Sequence, residues 1–220
     1  GGLSIQASEF VKPGFAVLAA WFFAARCFDD QFPGHILVGG LFILIAGLLL
    51  LQPDVGMTLV VSGILAVQFF IAGLSWLLVM VIAFLFVGGS IAAYFIFSHV
   101  QMRIDRFLDP GIGQGYQVSR SLEAFQNGGW LGRGPGEGHV KEVLPDAHSD
   151  FIFAVVGEEF GLIACLIIIA LFCFIILRGF SNAARENNLF ILLAVTGLLT
   201  QFALQTLINM ASTVNLMPPK

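Results

Sequence analysis

The stretch LPDAHSDFIFAVVGEEFG, residues 144–161, decides the fold, because in it a polar turn runs without a linker into a long apolar helix. Asp146, His148 and Asp150 lie at this junction, and Glu158 and Glu159 follow about two helical turns later. Carboxylates at the mouth of a membrane helix are costly, so they require a partner, water or a function. We interpret Asp150 as the residue that carries the chemistry.

The composition indicates a membrane protein. Hydrophobic residues make up 58% of the 220 residues, charged residues make up 11%, and the mean hydropathy is +0.92. About a quarter of the residues are charged in an ordinary soluble domain, so that class is excluded. The length suits about six membrane helices and one long loop. We predict an all-α, polytopic helix bundle that forms a single membrane domain over residues 1–220.

The termini and the cysteines add little to this picture. The chain opens without Met and without a basic region, so we expect no signal peptide and an internal segment of a longer membrane protein. All three cysteines fall in apolar runs, which favours small hydrophobic side chains over a zinc site or a disulfide framework. No Walker loop, dinucleotide fingerprint, HExxH or CxxC motif is present, and no nucleic-acid partner is expected. The cysteines are Cys27, Cys165 and Cys173.

Six apolar segments are predicted to span the membrane. They are residues 10–28, 36–51, two spans within 55–98, 151–177 and 189–211. Ser8 is the predicted N-cap of the first segment, with Pro13 tolerated near its start. The second segment ends at Gln52-Pro53-Asp54, because Pro53 cannot continue a helix. Residues 73–76 are the predicted hairpin between the third and fourth spans.

One long polar loop, residues 99–150, separates the fourth and fifth spans. Its residues 117–126 place Val118, Leu122 and Phe125 on one helical face, which predicts an amphipathic helix on the membrane surface, ended by Gly128-Gly129. The segment GWLGRGPGEGH that follows, residues 129–139, is too rich in glycine for regular structure. A long loop in a compact protein is usually functional or disordered, and we favour a functional loop.

Each acidic candidate has a structural alternative. Asp150 is either a catalytic carboxylate or a helix N-cap, a role that Ser149 could also fill. His148 is either a proton partner of Asp150 or a loop histidine at the interface. Glu158 and Glu159 point about 100° apart, so at most one faces a given cavity, and the alternative is an ion pair with Lys12.

The remaining polar groups also allow two interpretations. The break at Gln52 and Asp54 leaves free carbonyls and a carboxylate, which fits a watery cavity or a capped turn. The basic residues of the loop could bind phosphates or anionic lipid head groups. They are Arg103, Arg106, Arg120, Arg133 and Lys141. A polar stripe near the end of the chain is predicted to hold helices together. It consists of Gln201, Gln205 and Asn209.

Four motifs in this order resemble the SEDS family (shape, elongation, division and sporulation). They are GGLSIQASEFVKP at residues 1–13, LQPDVGMTLV at 51–60, GQGYQVSRSLEAFQNGGWLGRGPGEG at 113–138, and LPDAHSDFIFAVVGEEFG at 144–161. The departures are mild: Ala7 replaces Pro, Met57 precedes Thr58, Arg120 replaces Gln, Asp146 replaces Glu, and Ser149 replaces Thr. The Tyr116-Gln117 pair and the segment GRGPGEG are closer to the cell-division members than to the elongation members.

The resemblance implies a peptidoglycan glycosyltransferase of the cell inner membrane that polymerises lipid II with inversion and releases undecaprenyl diphosphate. Asp150 corresponds to the family's essential acid. The polar residues of the four motifs and the loop would bind substrate. These are Glu9, Lys12, Gln52, Asp54, Arg103, Arg106, Tyr116, Gln117, Arg120, Lys141, His148, Glu158 and Glu159. Loop arginines, Lys12 or a divalent cation (Mg or Mn) would stabilise the leaving diphosphate.

The resemblance also implies a setting. The family has about ten spans, of which this chain would be the fourth to the ninth, with the long loop outside the cytoplasmic membrane. A simple count of basic residues would instead place that loop in the cytoplasm. A class B penicillin-binding protein transpeptidase and other divisome membrane proteins at the septum are the implied partners. A lipid II flippase, a non-catalytic division scaffold and an elongation member of the same family remain alternatives.

Overall fold

The computed structural model describes residues 7–29, 31–52, 55–73, 116–140, 144 and 150–217, with isolated positions between 80 and 105. Every regular element in these residues is a helix, which confirms the all-α prediction. The helices are α1 (Ala7–Phe28), α2 (Gly34–Leu51), α3 (Val55–Ile71), α4 (Tyr116–Gly128), α5 (Ile152–Ala183) and α6 (Leu189–Thr213).

Four of these helices, α1, α2, α5 and α6, are long and apolar enough to cross a membrane, and α3 is apolar but shorter. Gly73 lies in a turn after α3 with a φ of 78°, at the first residue of the predicted hairpin. The rest of that hairpin and most of the predicted fourth span lie outside the described residues. The described helices therefore confirm a multi-pass membrane protein.

The predicted start of the first helix is wrong, whereas the predicted end of the second is confirmed. Ser8 lies inside α1, so the predicted N-cap is wrong, and Pro13 is an interior residue of this helix. A proline there has no N–H for the carbonyl four residues earlier, that of Glu9. The break after α2 is confirmed, since that helix ends at Leu51 and α3 begins at Val55.

Helix α5 differs most from the prediction of one regular span over residues 151–177. It runs from Ile152 to Ala183 but is interrupted at Gly161, where φ is 77° and ψ is −178°. Arg178 lies inside the helix and does not begin a loop, because a long arginine side chain can carry its charge to the interface. Helix α6 begins after Asn188, whose Oδ1 accepts a hydrogen bond of 3.0 Å from the Phe190 N–H.

The chain divides into two compact units. Unit 1 comprises Gly1–Ile96 and Ile176–Leu204, and unit 2 comprises Phe97–Ile175 and Gln205–Lys220. The single membrane domain over residues 1–220 stays a prediction.

Unit 1 packs through small and aromatic residues. Helix α1 buries Ala16, Ala19 and Ala20 completely, and its Phe15 and Phe23 are only 1% and 2% exposed. Small side chains let membrane helices approach closely, and the two phenylalanines fill the space beside them. A polar link between helices of this unit is Gln68, which no sequence motif indicated. Its Nε2 donates to the carbonyl of Ala16 at 2.7 Å and to that of Leu193 at 3.0 Å, and so joins α3 to α1 and α6.

Unit 2 is built around α4. This helix fully buries Val118, Ser121 and Ala124, whereas Leu122 is only half-buried, so its inner face is centred one residue away from the predicted one. The Ser121 hydroxyl donates to the carbonyl of Thr213 at 2.7 Å, which ties α4 to the end of α6. The inner face is therefore committed to protein contacts. Its apolar cluster consists of Ala124, Val140, Leu144, Phe151 and Ala154.

Candidate functional site

Glu158 is a charged side chain that α5 buries completely, with 0% of its surface exposed. Its carboxylate accepts hydrogen bonds from the backbone N–H of His139 at 3.2 Å and from that of Val140 at 3.0 Å. Hydrogen bonds to an ionised acceptor are stronger than neutral ones. Glu158 therefore holds the end of the glycine loop (residues 129–139).

The glycine loop also binds the backbone of α5 at the interruption. The N–H groups of Arg133 and Gly134 donate to the carbonyls of Glu158 and Glu159, each at 3.0 Å. In the opposite direction, the Leu162 N–H donates to the carbonyl of Gly129 at 2.9 Å. The Ile163 N–H donates to the carbonyl of Trp130 at 3.3 Å. Backbone groups that the helix break releases are thus satisfied by the loop, as a membrane protein requires.

Two glycines make this close contact possible. Gly161 has a φ of 77°, and a Cβ there would overlap the backbone of Gly132 and Trp130. Gly132 has a φ of 82°, and a Cβ there would overlap the carbonyl of Glu159. A side chain at either position would meet both backbone strain and an atomic clash. The sequence signal was the glycine after Glu-Glu-Phe inside an apolar run, which we did not interpret as a break.

Asp150 lies two residues before α5 with an exposed side chain. The carbonyl of Phe151 accepts the first helical bonds, from Ala154 N–H at 3.0 Å and Val155 N–H at 3.3 Å, so Phe151 occupies the cap position. Within the described residues 116–140 and 150–217, the Asp150 carboxylate accepts no hydrogen bond and forms no ion pair. Phe151 itself is 3% exposed within the apolar cluster. The backbone beside Asp150 is therefore anchored, while its carboxylate is open.

In unit 1 the notable charge is Lys12, whose side chain is 1% exposed. Its Nζ lies 2.5 Å from Oε2 of Glu9, one helical turn earlier on α1. A buried ammonium requires such a partner. The predicted pairing of Lys12 with Glu158 or Glu159 stays a prediction.

The other predicted site residues are placed as follows. Arg120 forms an ion pair of 2.5 Å with Glu123 on the same helix, and Gln52 is exposed at the end of α2. Tyr116 and Gln117 form the first turn of α4. The remaining five lie outside the described residues. They are Asp54, Arg103, Arg106, Lys141 and His148.

The described residues hold no group of three or more His, Cys, Asp or Glu side chains that could bind a metal ion. The buried carboxylate of Glu158 is already engaged by two backbone N–H groups. The described residues therefore supply no complete set of protein ligands for a resident Mg²⁺ or Mn²⁺ ion.

The apolar helices define a multi-pass membrane protein, and its glycine loop is bonded to the backbone of α5. A family model described as cell cycle protein, covering FtsW, RodA and SpoVE, matches residues 1–220. The chain therefore belongs to this family, which confirms the resemblance that the four motifs carry.

Relatives with assigned names are similar over the whole chain. The probable peptidoglycan glycosyltransferase FtsW of Caulobacter vibrioides is 39% identical over 100% of this chain and 56% of its own length. The peptidoglycan glycosyltransferase RodA of Mycobacterium bovis is 33% identical over 99% of this chain and 50% of its own length. The chain thus spans about half the length of these relatives.

A solved structure is similar in fold. It comes from work on the coordination of polymerization and crosslinking by a peptidoglycan synthase complex. Its chain is 25% identical with a TM-score of 0.74, over 99% of this chain and 62% of its own.

Proposed function

We propose that the protein is a peptidoglycan glycosyltransferase that polymerises lipid II during cell division, with Asp150 as general base. The observation that carries this proposal is the placement of Asp150. Its carboxylate is exposed at the start of a membrane helix that it does not cap, beside a buried and anchored Phe151. Family membership and relatives named peptidoglycan glycosyltransferases support the reaction class.

The reaction follows from what a carboxylate can do at this position. As the sugar 4-hydroxyl attacks the anomeric carbon of a lipid-linked sugar, its proton passes to the Asp150 carboxylate. The new bond joins this oxygen to the anomeric carbon from the opposite face, so the configuration inverts. The bond to the diphosphate breaks, and undecaprenyl diphosphate leaves with the electron pair, already charged and without need of a proton. Arginines of the long loop (residues 99–150) would stabilise the developing charge.

The setting is part of the proposal. A class B penicillin-binding protein transpeptidase would crosslink the new glycan, which agrees with the synthase complex that supplies the similar fold. Other divisome membrane proteins would bring the enzyme to the septum of the inner membrane. Relatives include FtsW proteins at 31–39% identity and RodA proteins at 33%, so identity alone does not separate the two roles. The cell-division role rests on the Tyr116-Gln117 pair and the segment GRGPGEG. Restoration of growth in a strain depleted of its division member, but not of its elongation member, would support this assignment.

The decisive variant is Asp150→Asn in the full-length protein with its transpeptidase partner. Loss of the general base should lower lipid II polymerisation by about 10²–10⁴-fold without a change in thermal stability. Glu186→Gln is the matched control, because Glu186 is an exposed acid in the turn before α6, and it should retain full activity. A folded Asp150→Asn protein with wild-type polymerisation would rule out the general base and favour a flippase or a scaffold.

The orientation of the long loop is tested by labelling. Gln126 and Asn187 are both exposed, in α4 and in the turn before α6. Single cysteines at these positions, in a cysteine-free protein, should react differently with a membrane-impermeant thiol reagent added to intact spheroplasts. We expect labelling at 126 and not at 187. The reverse pattern would place the loop in the cytoplasm, as the count of basic residues suggested.

A further inference from the structure

The tip of the glycine loop exposes two large apolar side chains. Trp130 is 68% exposed and Leu131 is 80% exposed. Arg133, two residues further on, is also exposed, and its Nε donates to the carbonyl of Asn127 at 3.4 Å. An aromatic ring, an aliphatic side chain and a cation side by side are typical of a membrane–water interface.

The tip is held in place by α5. The carbonyls of Gly129 and Trp130 accept hydrogen bonds from the N–H groups of Leu162 and Ile163. The Arg133 N–H donates to the backbone carbonyl of Glu158. The exposed tip is therefore a fixed feature beside the first residues after the helix interruption. These bonds place the tip beside residues 158–163 of α5.

This position coincides with the edge of the apolar part of α5. After the interruption at Gly161 the helix carries no charged residue until Arg178, and residues 162–177 rise about 24 Å at 1.5 Å each. A bilayer core is about 30 Å thick, so this run crosses most of it and begins near one surface. Leu166 and Ile167, one turn further on, are 52% and 63% exposed, as expected for side chains that contact lipid. Trp130, whose carbonyl is bonded to Ile163, lies at the beginning of this exposed apolar surface.

We propose that the Trp130–Leu131 tip is an interfacial anchor that inserts into the surface of the lipid bilayer, with Arg133 at the level of the lipid phosphates. The occupant is lipid because the tip continues the lipid-facing surface of α5 and carries a cation at the depth of anionic head groups. The anchor fixes the glycine loop at the bilayer surface. The inference does not depend on the reaction proposed for Asp150.

Site-directed spin labels test the anchor. The full-length protein, made cysteine-free, receives one cysteine at Leu131→Cys or at Glu137→Cys and is placed in vesicles of phosphatidylethanolamine and phosphatidylglycerol without a partner protein. Glu137 is the matched control, because it is exposed in the same loop but polar. We expect the label at 131 to be more accessible to oxygen than to a water-soluble nickel chelate. The label at 137 should show the opposite preference.

Tryptophan quenching supplies a second measurement with the native side chain. Proteins that retain only Trp130 or only Trp21 are compared; Trp21 is 52% exposed on the spanning helix α1 and serves as the lipid-facing reference. Bromines placed high on the lipid chains should quench Trp130 at least twofold more than bromines near the chain ends. Equal access of nickel chelate to labels at 131 and 137, or exclusion of both reagents from 131, would overturn the proposal. The first result would place the tip in water and the second under protein.

Discussion

Replacing Glu158 by Gln removes half of the acceptor capacity that holds the glycine loop. The two carboxylate oxygens accept from His139 and Val140, whereas the amide of Gln can accept through one oxygen and turns an NH₂ group toward the other donor. A hydrogen bond to a charged group contributes about 1.5–3 kcal/mol, so the loss of one costs about 2 kcal/mol. Such a change raises the local opening equilibrium about 30-fold.

Hydrogen exchange in nanodiscs measures this opening. The amides of His139 and Val140 should exchange about 30-fold faster in Glu158→Gln, with little change in α4 and in α5 beyond the interruption. Glu137→Gln makes the same charge change at an exposed position of the loop and should leave these amides unaffected. Unchanged exchange at both amides in Glu158→Gln would refute the reasoning. A uniform rise through α4 and α5 would refute it too, since Glu158 would then support the whole unit.

Two further substitutions test other contacts. Gly161→Ala should lower the free energy of unfolding by more than about 3 kcal/mol, because it combines backbone strain with overlap against the glycine loop. Gly39→Ala is the control: its Cβ would meet open space, so Tm should stay unchanged or rise slightly. An equal Tm for both variants would contradict the contact between the loop and α5. Glu9→Gln should cost about 1–2 kcal/mol, since it weakens the pairing of the buried Lys12 while Glu9 itself is 37% exposed. The addition of Lys12→Met should recover part of that loss, and a purely additive double-mutant cycle would contradict the pairing.

The features that the sequence predicted correctly are those that one residue decides locally. Pro53 cannot donate within a helix, and the structure ends α2 at Leu51 and resumes at Val55. The start of α6 and the presence of a helix at α4 likewise follow from nearby residues, whereas the inner face of α4 is centred one residue away from the predicted one. Ser8 shows the limit of such reasoning, because a good cap residue is also tolerated inside a helix, and α1 includes it.

The interlock of the glycine loop with α5 could not be predicted in this way. Gly161 was visible, but its partners at residues 129–134 are about 30 positions away, and no periodicity links a loop to a helix break. In addition, a glycine inside an apolar run is common in membrane helices, so it does not by itself indicate a break. A broken helix is distinguished from a continuous one only by the hydrogen bonds that the loop and α5 exchange around Gly161.

The neighbouring acids of the 144–161 stretch illustrate why residue type alone did not assign the roles. By sequence, Asp150 and Glu158 were both carboxylates near the mouth of one helix, and an ion pair with Lys12 was the structural alternative for Glu158. In the structure Glu158 is fully buried with backbone donors on both oxygens, while Asp150 is exposed. A buried carboxylate that accepts two fixed N–H bonds is suited to hold a loop, whereas an exposed one can be reached by a substrate hydroxyl. We therefore infer a division of labour within one motif, in which Glu158 positions the loop and Asp150 is left to react.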